Sequence, residues 1–192
     1  MIGKQAKILS DDQVESLLWF VSTTRNPIRN RVLVLLSLKA GLRAGEIANL
    51  TWPMVLGPQD EIAAVIELRD HAAKKGSGRH IAIHPDLCDA LGQWRDATGS
   101  LVGSVVRSER GTAMTPVSIV NWFSAAYKAI GLEGCSSHSG RRTFITRAAR
   151  LVHKAGGSLR DVQLLAGHRS IQTTQGYIDG DTDAQRRLVA MI

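Results

Sequence analysis

The stretch "RVLVLLSLKAG", residues 31–41, restricts the fold more than any other part of the chain. From Val32 to Leu38 it is apolar at nearly every position, so a helix built from it has no face to give to water. It is far too short for a membrane span, which needs about 20 such residues. It therefore reads as a buried helix, stopped by Gly41. A length of 192 residues, 44% of them hydrophobic, is enough for one well-buried core.

The elements around that helix follow from period and punctuation. "SDDQVESLLWFV" (10–21) opens with Ser10 and Gln13 as a capping box and continues with Val14, Leu17, Leu18 and Val21 at helical spacing. "LRAGEIANLTW" (42–52) reads as a short helix that follows Gly41 at once. "EIAAVIEL" (61–68) and "RHIAIH" (79–84) are rich in β-branched residues, and the connector "RDHAAKKGSG" between them suits a hairpin tip. Further helices are expected over 85–97, over 115–131 with Thr115, Pro116 and Gly131 as its punctuation, over 139–156, and over 158–167. Tyr127 falls inside one of them, at the core or its edge. Residues 182–192 read as a short amphipathic tail helix. Helices, one small antiparallel sheet, then helices again make a mainly helical α+β fold.

The net charge is +7, and its location says more than its total. Between Ser136 and Ser170 lie seven arginines and lysines but one acid, Asp161, which places +6 in 35 residues and leaves +1 for the other 157. A basic region so confined reads as the footprint of a polyanion, with nucleic acid the first candidate. Several other classes lose ground. The N-terminus lacks the apolar stretch of a signal peptide, no run is long enough to cross a membrane, and no internal repeat is present. Two cysteines, Cys88 and Cys135, do not make a disulfide framework in a chain of this size, which favours a reducing cytoplasm.

Five features could carry chemistry. Arg43 sits in "GLRAGE" at a helix junction; Lys74 and Lys75 sit at the expected hairpin tip; His138 and Arg141 are three apart in "HSGR"; His168 follows the helix-ending Gly167; Tyr177 comes nine residues later. Taken singly, each has a plain structural reading, from a helix-start arginine at the surface to a tyrosine that packs. Together they match the metal-free covalent cleavage of a phosphodiester. Arginine forks bond two phosphate oxygens and stay charged. A lysine or histidine can protonate the leaving sugar oxygen. A tyrosine beside positive charge gives up its proton more readily and can attack phosphorus.

The motifs "GLRAGEIANLTW", "KKGSGRHIAI", "HSGRRTFIT" and "LLAGHRSIQTTQGY" resemble, in this order, the boxes of the tyrosine recombinase (phage integrase) family. The resemblance spans roughly residues 8–180. It implies a tyrosine-recombinase catalytic domain over 1–192 and a site-specific recombinase that cleaves and rejoins DNA through a 3′-phosphotyrosine, with no metal, ATP or other cofactor. It also implies roles at matching positions. Arg43 and Arg141 would clamp the scissile phosphate and Tyr177 would attack it. Lys74 would protonate the leaving 5′-oxygen, and His138 and His168 would bond the phosphate and assist proton transfer. Lys74 fits the hairpin box better than its competitor Lys75 by its spacing to Arg79. The implied partner is double-stranded DNA, engaged as a homo-tetramer, with the free protein's state left open.

The departures from the family pattern are specific. Arg142 stands where the family often has histidine, and Gly140 where it often has leucine. The stretch from Arg141 to His168 looks a few residues longer than usual, at "LVHKAGGS" (151–158) before the helix that Ser158 opens. Members commonly carry a separate helical domain ahead of the catalytic one, and this chain reaches its first catalytic-domain helix within ten residues. Weaker DNA binding is expected, each lost phosphate contact removing about 0.9 from the salt slope. Three rival readings stand beside the recombinase. One is strand relaxation of the type IB topoisomerase kind. Another is a DNA-binding module of the same fold that no longer cleaves. The third is a metal site from Cys135, His138, His153 and His168, for which "CSSH" supplies one ligand-like pair but nothing supplies the second.

Overall fold

A computed structural model describes residues 6–73, 76–177 and 189–192. Its centre is the apolar helix singled out above, α2 (Pro27–Leu38), in which every residue from Val32 to Leu38 is buried. Helices α1 (Asp11–Ser22), α3 (Ala44–Asn49), α4 (Pro85–Thr98) and α6 (Ser139–Leu151) all pack against it. The helix starts five residues earlier than its apolar run, because Pro27 occupies the first turn, where a missing N–H costs nothing.

The other elements follow their punctuation. The Ser10 hydroxyl accepts from the Gln13 N–H at 3.2 Å and the Gln13 side chain accepts from the Ser10 N–H at 3.0 Å, closing the capping box of α1. Strands β1 (Val65–Leu68) and β2 (Arg79–Ala82) form one antiparallel pair, with Val65 opposite Ala82 and Leu68 opposite Arg79. Strand β1 is shorter than the β-branched run suggested, since Ile62 and Ala63 pair with Leu56 and Val55 instead of with β2. Helix α5 (Pro116–Ala129) is capped by Thr115, and Tyr127 lies on its buried face at 1% exposure. The regular part of α6 ends at Leu151; tighter turns carry the chain on until the Gly157 N–H bonds the Val152 carbonyl at 2.9 Å. Helices α7 (Leu159–Ala166) and α8 (Ile171–Gln175) complete the order. The expected mainly helical α+β fold with a two-stranded sheet is the observed one. The tail helix expected over 182–192 falls mostly outside the described residues.

Two close approaches set the site's frame. Gly41 turns the chain out of α2 with φ of +63°, and a Cβ there would meet the Phe144 ring at 2.3 Å. Only glycine satisfies both demands. Gly140 lies so near α2 that a Cβ would stand 2.4 Å from the Ser37 hydroxyl oxygen. The glycine found where the family often has leucine is therefore matched by a small residue across the interface, and α6 sits tight on α2.

The apolar interior has two parts. The larger surrounds α2 and takes in residues from Leu9 to Tyr127. The smaller lies beneath α6 and α7 and consists of Ile145, Ala149, Val152, Val162 and Ala166, with Phe144, Leu159 and Tyr177 packed against it.

Candidate active site

Arg43 is the residue that starts α3, and its position is fixed by Glu46 one turn later. The Arg43 N–H donates to the Glu46 carboxylate at 3.0 Å and its guanidinium donates at 2.7 Å. Arg79, at the head of β2, reaches the same carboxylate with both terminal nitrogens, at 3.1 and 3.0 Å, and its Nε donates to the Leu165 carbonyl at 3.0 Å. Glu46 is 1% exposed. Burial pushes its carboxyl upward, but the hydrogen bonds and charges of Arg79 and Arg43 together outweigh that and hold it at about 2. A buried carboxylate with one partner would be a poor bargain; with two arginines bonding both oxygens it is satisfied. Neither Glu46 nor Arg79 was singled out from sequence. The signal for Glu46 was its place three residues after Arg43, the spacing of a helix-start carboxylate that bonds back to the cap.

Arg141 occupies the first turn of α6 and is 3% exposed. Its Nη1 donates to the Gly41 carbonyl at 2.5 Å, and its Nη2 to the Ala166 carbonyl at 2.6 Å and to His168 Nε2 at 3.1 Å. Three of its five N–H groups are thereby spent on fixing its plane, and two remain for an anion. Burial first, then the charge of Arg43, pushes its pKa down to about 10, so it keeps its proton at neutral pH.

His168 follows α7 and is 9% exposed. Because arginine can only donate, Nε2 must be an acceptor; Nδ1 then carries the hydrogen and donates it to the Thr174 hydroxyl, 3.0 Å away. Burial, followed by the charges of Arg141, Arg43 and Arg79, pushes the pKa of this histidine down to about 4, so the ring is neutral at pH 7. The Gln163 amide donates to the His168 carbonyl at 2.9 Å and holds the segment to α7.

Tyr177 stands just past α8. Its N–H donates to the Thr174 carbonyl at 3.1 Å, so the helix containing the paired threonines delivers both the tyrosine backbone and the histidine's hydroxyl partner. The half-buried Tyr177 ring stacks on His168 with centroids 5.4 Å apart and planes 24° apart. It forms one wall of an open cleft of about 410 Å³ that Ser136, His138, Arg141 and Arg142 also line. His138 is exposed at the start of α6.

Arg43, His138, Arg141, His168 and Tyr177 thus meet in one region, drawn from three separated parts of the chain. Lys74 and its competitor Lys75 lie outside the described residues. Cys135, His138, His153 and His168 do not gather into a metal-holding group, and no other such group exists among the described residues. The basic segment is also less of an open face than its composition suggested. Arg141 is turned inward, and Arg147 pairs with Asp11 at 2.7 Å. No helix among the described residues is long and apolar enough to cross a membrane.

Comparison with known proteins follows the same lines. The model of the phage integrase family matches residues 7–183. Tyrosine recombinase XerC of Rhizobium meliloti is 28% identical over 158 residues, covering 80% of this chain and 46% of that protein. Tyrosine recombinase XerD of Ralstonia nicotianae is 30% identical over 181 residues, covering 89% of this chain and 55% of that protein. The chain spans about half the length of these relatives. Among solved structures, the Tn1549 transposon integrase in complex with transposon right-end DNA superposes with a TM-score of 0.74 at 20% identity, over 97% of this chain and 66% of that one. XerA recombinase does so with 0.73 at 22% identity, over 100% and 65%. At these identities the structures speak for the fold.

Proposed function

The chain belongs to the phage integrase family, and from that premise we propose that it cleaves and rejoins DNA at specific sites through a covalent 3′-phosphotyrosine on Tyr177. The observation that carries the reading is the line Tyr177–His168–Arg141: a half-buried phenol stacked on a neutral histidine whose Nε2 meets a buried, protonated arginine at 3.1 Å.

In this reading a scissile phosphate enters the cleft beside Tyr177. Arg141 offers it the two N–H groups not spent on carbonyls and histidine, and Arg43 brings a second guanidinium whose direction Glu46 sets. Fixed cations of this kind act in place before charge develops, and losing one such donor typically costs about 10²–10³ in rate. The Tyr177 Oη gives up its proton and attacks phosphorus; the bond from phosphorus to the 5′-oxygen breaks; Lys74 protonates that oxygen as it leaves. His168 takes the Tyr177 proton at Nε2 as the arriving phosphate draws the Arg141 donor off that nitrogen, while the exposed His138 bonds a phosphate oxygen. The phosphotyrosine keeps the energy of the original bond, so a 5′-hydroxyl can reverse the sequence with neither ATP nor a metal ion. The partner is double-stranded DNA, engaged as a homo-tetramer in the cytoplasm.

The test is a pool of nicked, randomised duplexes whose cleaved end diffuses away, mixed with the protein in EDTA at low salt. An SDS-resistant protein–DNA adduct is expected from the natural chain and none from Tyr177→Phe. DNA retarded in a gel shift without any adduct would sink the cleavage reading and leave a binding module.

A further inference from the structure

Arg142 is not used by the chemistry above, and its surroundings are unusual for an arginine. Its guanidinium carbon lies 5.9 Å from the centroid of the Tyr177 ring, over the ring face. Its Nε is buried and has no hydrogen-bond partner, and no described residue accepts a hydrogen bond from any part of its guanidinium. The neighbouring cations each have donors committed within the protein: Arg141 spends three of its five on two carbonyls and His168, Arg43 and Arg79 bond Glu46, and Arg147 pairs with Asp11. Of the two arginines that line the cleft beside Tyr177, Arg141 has three donors spent, whereas Arg142 spends none on a described residue.

A buried N–H without an acceptor is a standing cost that the fold does not tolerate without a reason. Relief here calls for an acceptor that arrives from outside, and a cation on the cleft wall calls for an anionic one. We propose that Arg142 is a phosphoryl-binding residue, donating from its guanidinium to a non-bridging oxygen of the phosphate that Tyr177 attacks and then carries. The assignment rests on the strand-cleavage reading for the identity of the anion, but the anion site itself is defined by the cleft, the orphan donor and the ring contact. Its place next to Arg141 in the chain means that one turn of α6 supplies two forks to one phosphate. Arg141 comes with its plane fixed by carbonyls; Arg142 is held only by the ring of the nucleophile, so it can follow the phosphate as the bond to Tyr177 forms. Charge-assisted bonds of this kind are among the stronger ones a protein makes.

The experiment uses inorganic vanadate, a tetrahedral oxyanion that stands in for the phosphoryl group, titrated into the whole chain and followed by calorimetry. Arg142→Gln should bind it at least tenfold more weakly, Arg142→Lys should recover much of the loss, and Arg110→Gln, a change at an exposed arginine, should bind as the natural chain does. Melting is measured on the same samples, and Arg142→Gln should leave the Tm unchanged or raised, because it removes a donor that has no partner. Affinity within twofold of the natural chain in Arg142→Gln overturns the proposal, and so does a fall in Tm that accompanies the loss. The nicked-duplex assay run in parallel separates the two claims. Vanadate binding that depends on Arg142, with no adduct from the natural chain, keeps the anion site and removes strand cleavage. An adduct with vanadate binding indifferent to Arg142 does the reverse.

Discussion

Glu46 with its two arginines and Tyr177 with its histidine belong to regions that are held in different ways. The first group rests on the interior around α2, where 32 buried apolar residues among those described form one continuous cluster. The second rests on five, under α6 and α7. In the first, charged groups are bonded to one another through both oxygens of a carboxylate. In the second, a histidine and a tyrosine are held by hydrogen bonds of His168 with Thr174, Arg141 and Gln163, by backbone bonds of Tyr177 with Thr174 and Thr146, and by ring stacking. Segments with few buried apolar contacts are the ones that open locally below the global unfolding free energy. The chain thus places the groups that must be preorganised over its larger apolar cluster, and the group proposed to form and break a covalent bond over its smaller one.

The largest test strikes the firm side. Glu46→Ala leaves Arg79 buried without its partner and should cost about 3–5 kcal/mol of stability, read as a lower denaturant midpoint for the whole chain. The same carboxylate predicts a pH effect. Its pKa is depressed on folding, so its contribution is complete above the ordinary carboxylate range and is lost as pH falls toward about 2; Glu46→Gln should flatten that part of the profile.

His168 divides the two regions in pH. Its pKa is also lowered, to about 4, so the unfolded chain binds a proton that the folded chain refuses. Stability should therefore rise with pH between about 4 and 6.5, on the order of 2–3 kcal/mol, and be complete above that window. His168→Gln should remove that rise while the Glu46 window, at lower pH, persists. A profile unchanged by the substitution means that the histidine is not held neutral.

Val162→Ala thins the smaller cluster and should cost about 1–2 kcal/mol. If the comparison is right, amide exchange quickens through α7, α8 and Tyr177 while the amides of α2 keep their rates. Equal acceleration in α2 would show that both parts open as one. The smallest effect is expected from Thr174→Val, which deletes the hydroxyl that fixes the His168 tautomer. It should cost about 1 kcal/mol, with slower adduct formation but an unchanged exchange pattern in α2.

Much of the frame could be read from sequence because its signals are local. The Ser10–Gln13 box, Thr115 with Pro116, and the apolar run of α2 each act within a few residues, and each appears where the pattern places it. What escaped is long-range. Nothing near Arg79 announces that it meets Glu46, 33 residues before it, and the Leu165 carbonyl, 86 residues after it. The inward turn of Arg141 was likewise hidden, since a charge count cannot tell an arginine spent on carbonyls from one facing solvent. The five candidate residues that lie within the described chain were nameable by family resemblance, and their gathering depends on approaches at Gly41 and Gly140 that only the packing reveals.

The bond from Arg141 to the Gly41 carbonyl spans a hundred residues of sequence. It sets an order of events during synthesis. Arg43 meets Glu46 within three residues and can do so while the chain is still emerging, but the buried fork of Arg141 has no place until both α2 and α6 are made and docked. Contacts of such separation form late, after the loop between them has been closed. A nascent chain therefore carries the arginine of its first motif long before it has an assembled site, and the capacity proposed here to break DNA would arrive only with the finished fold.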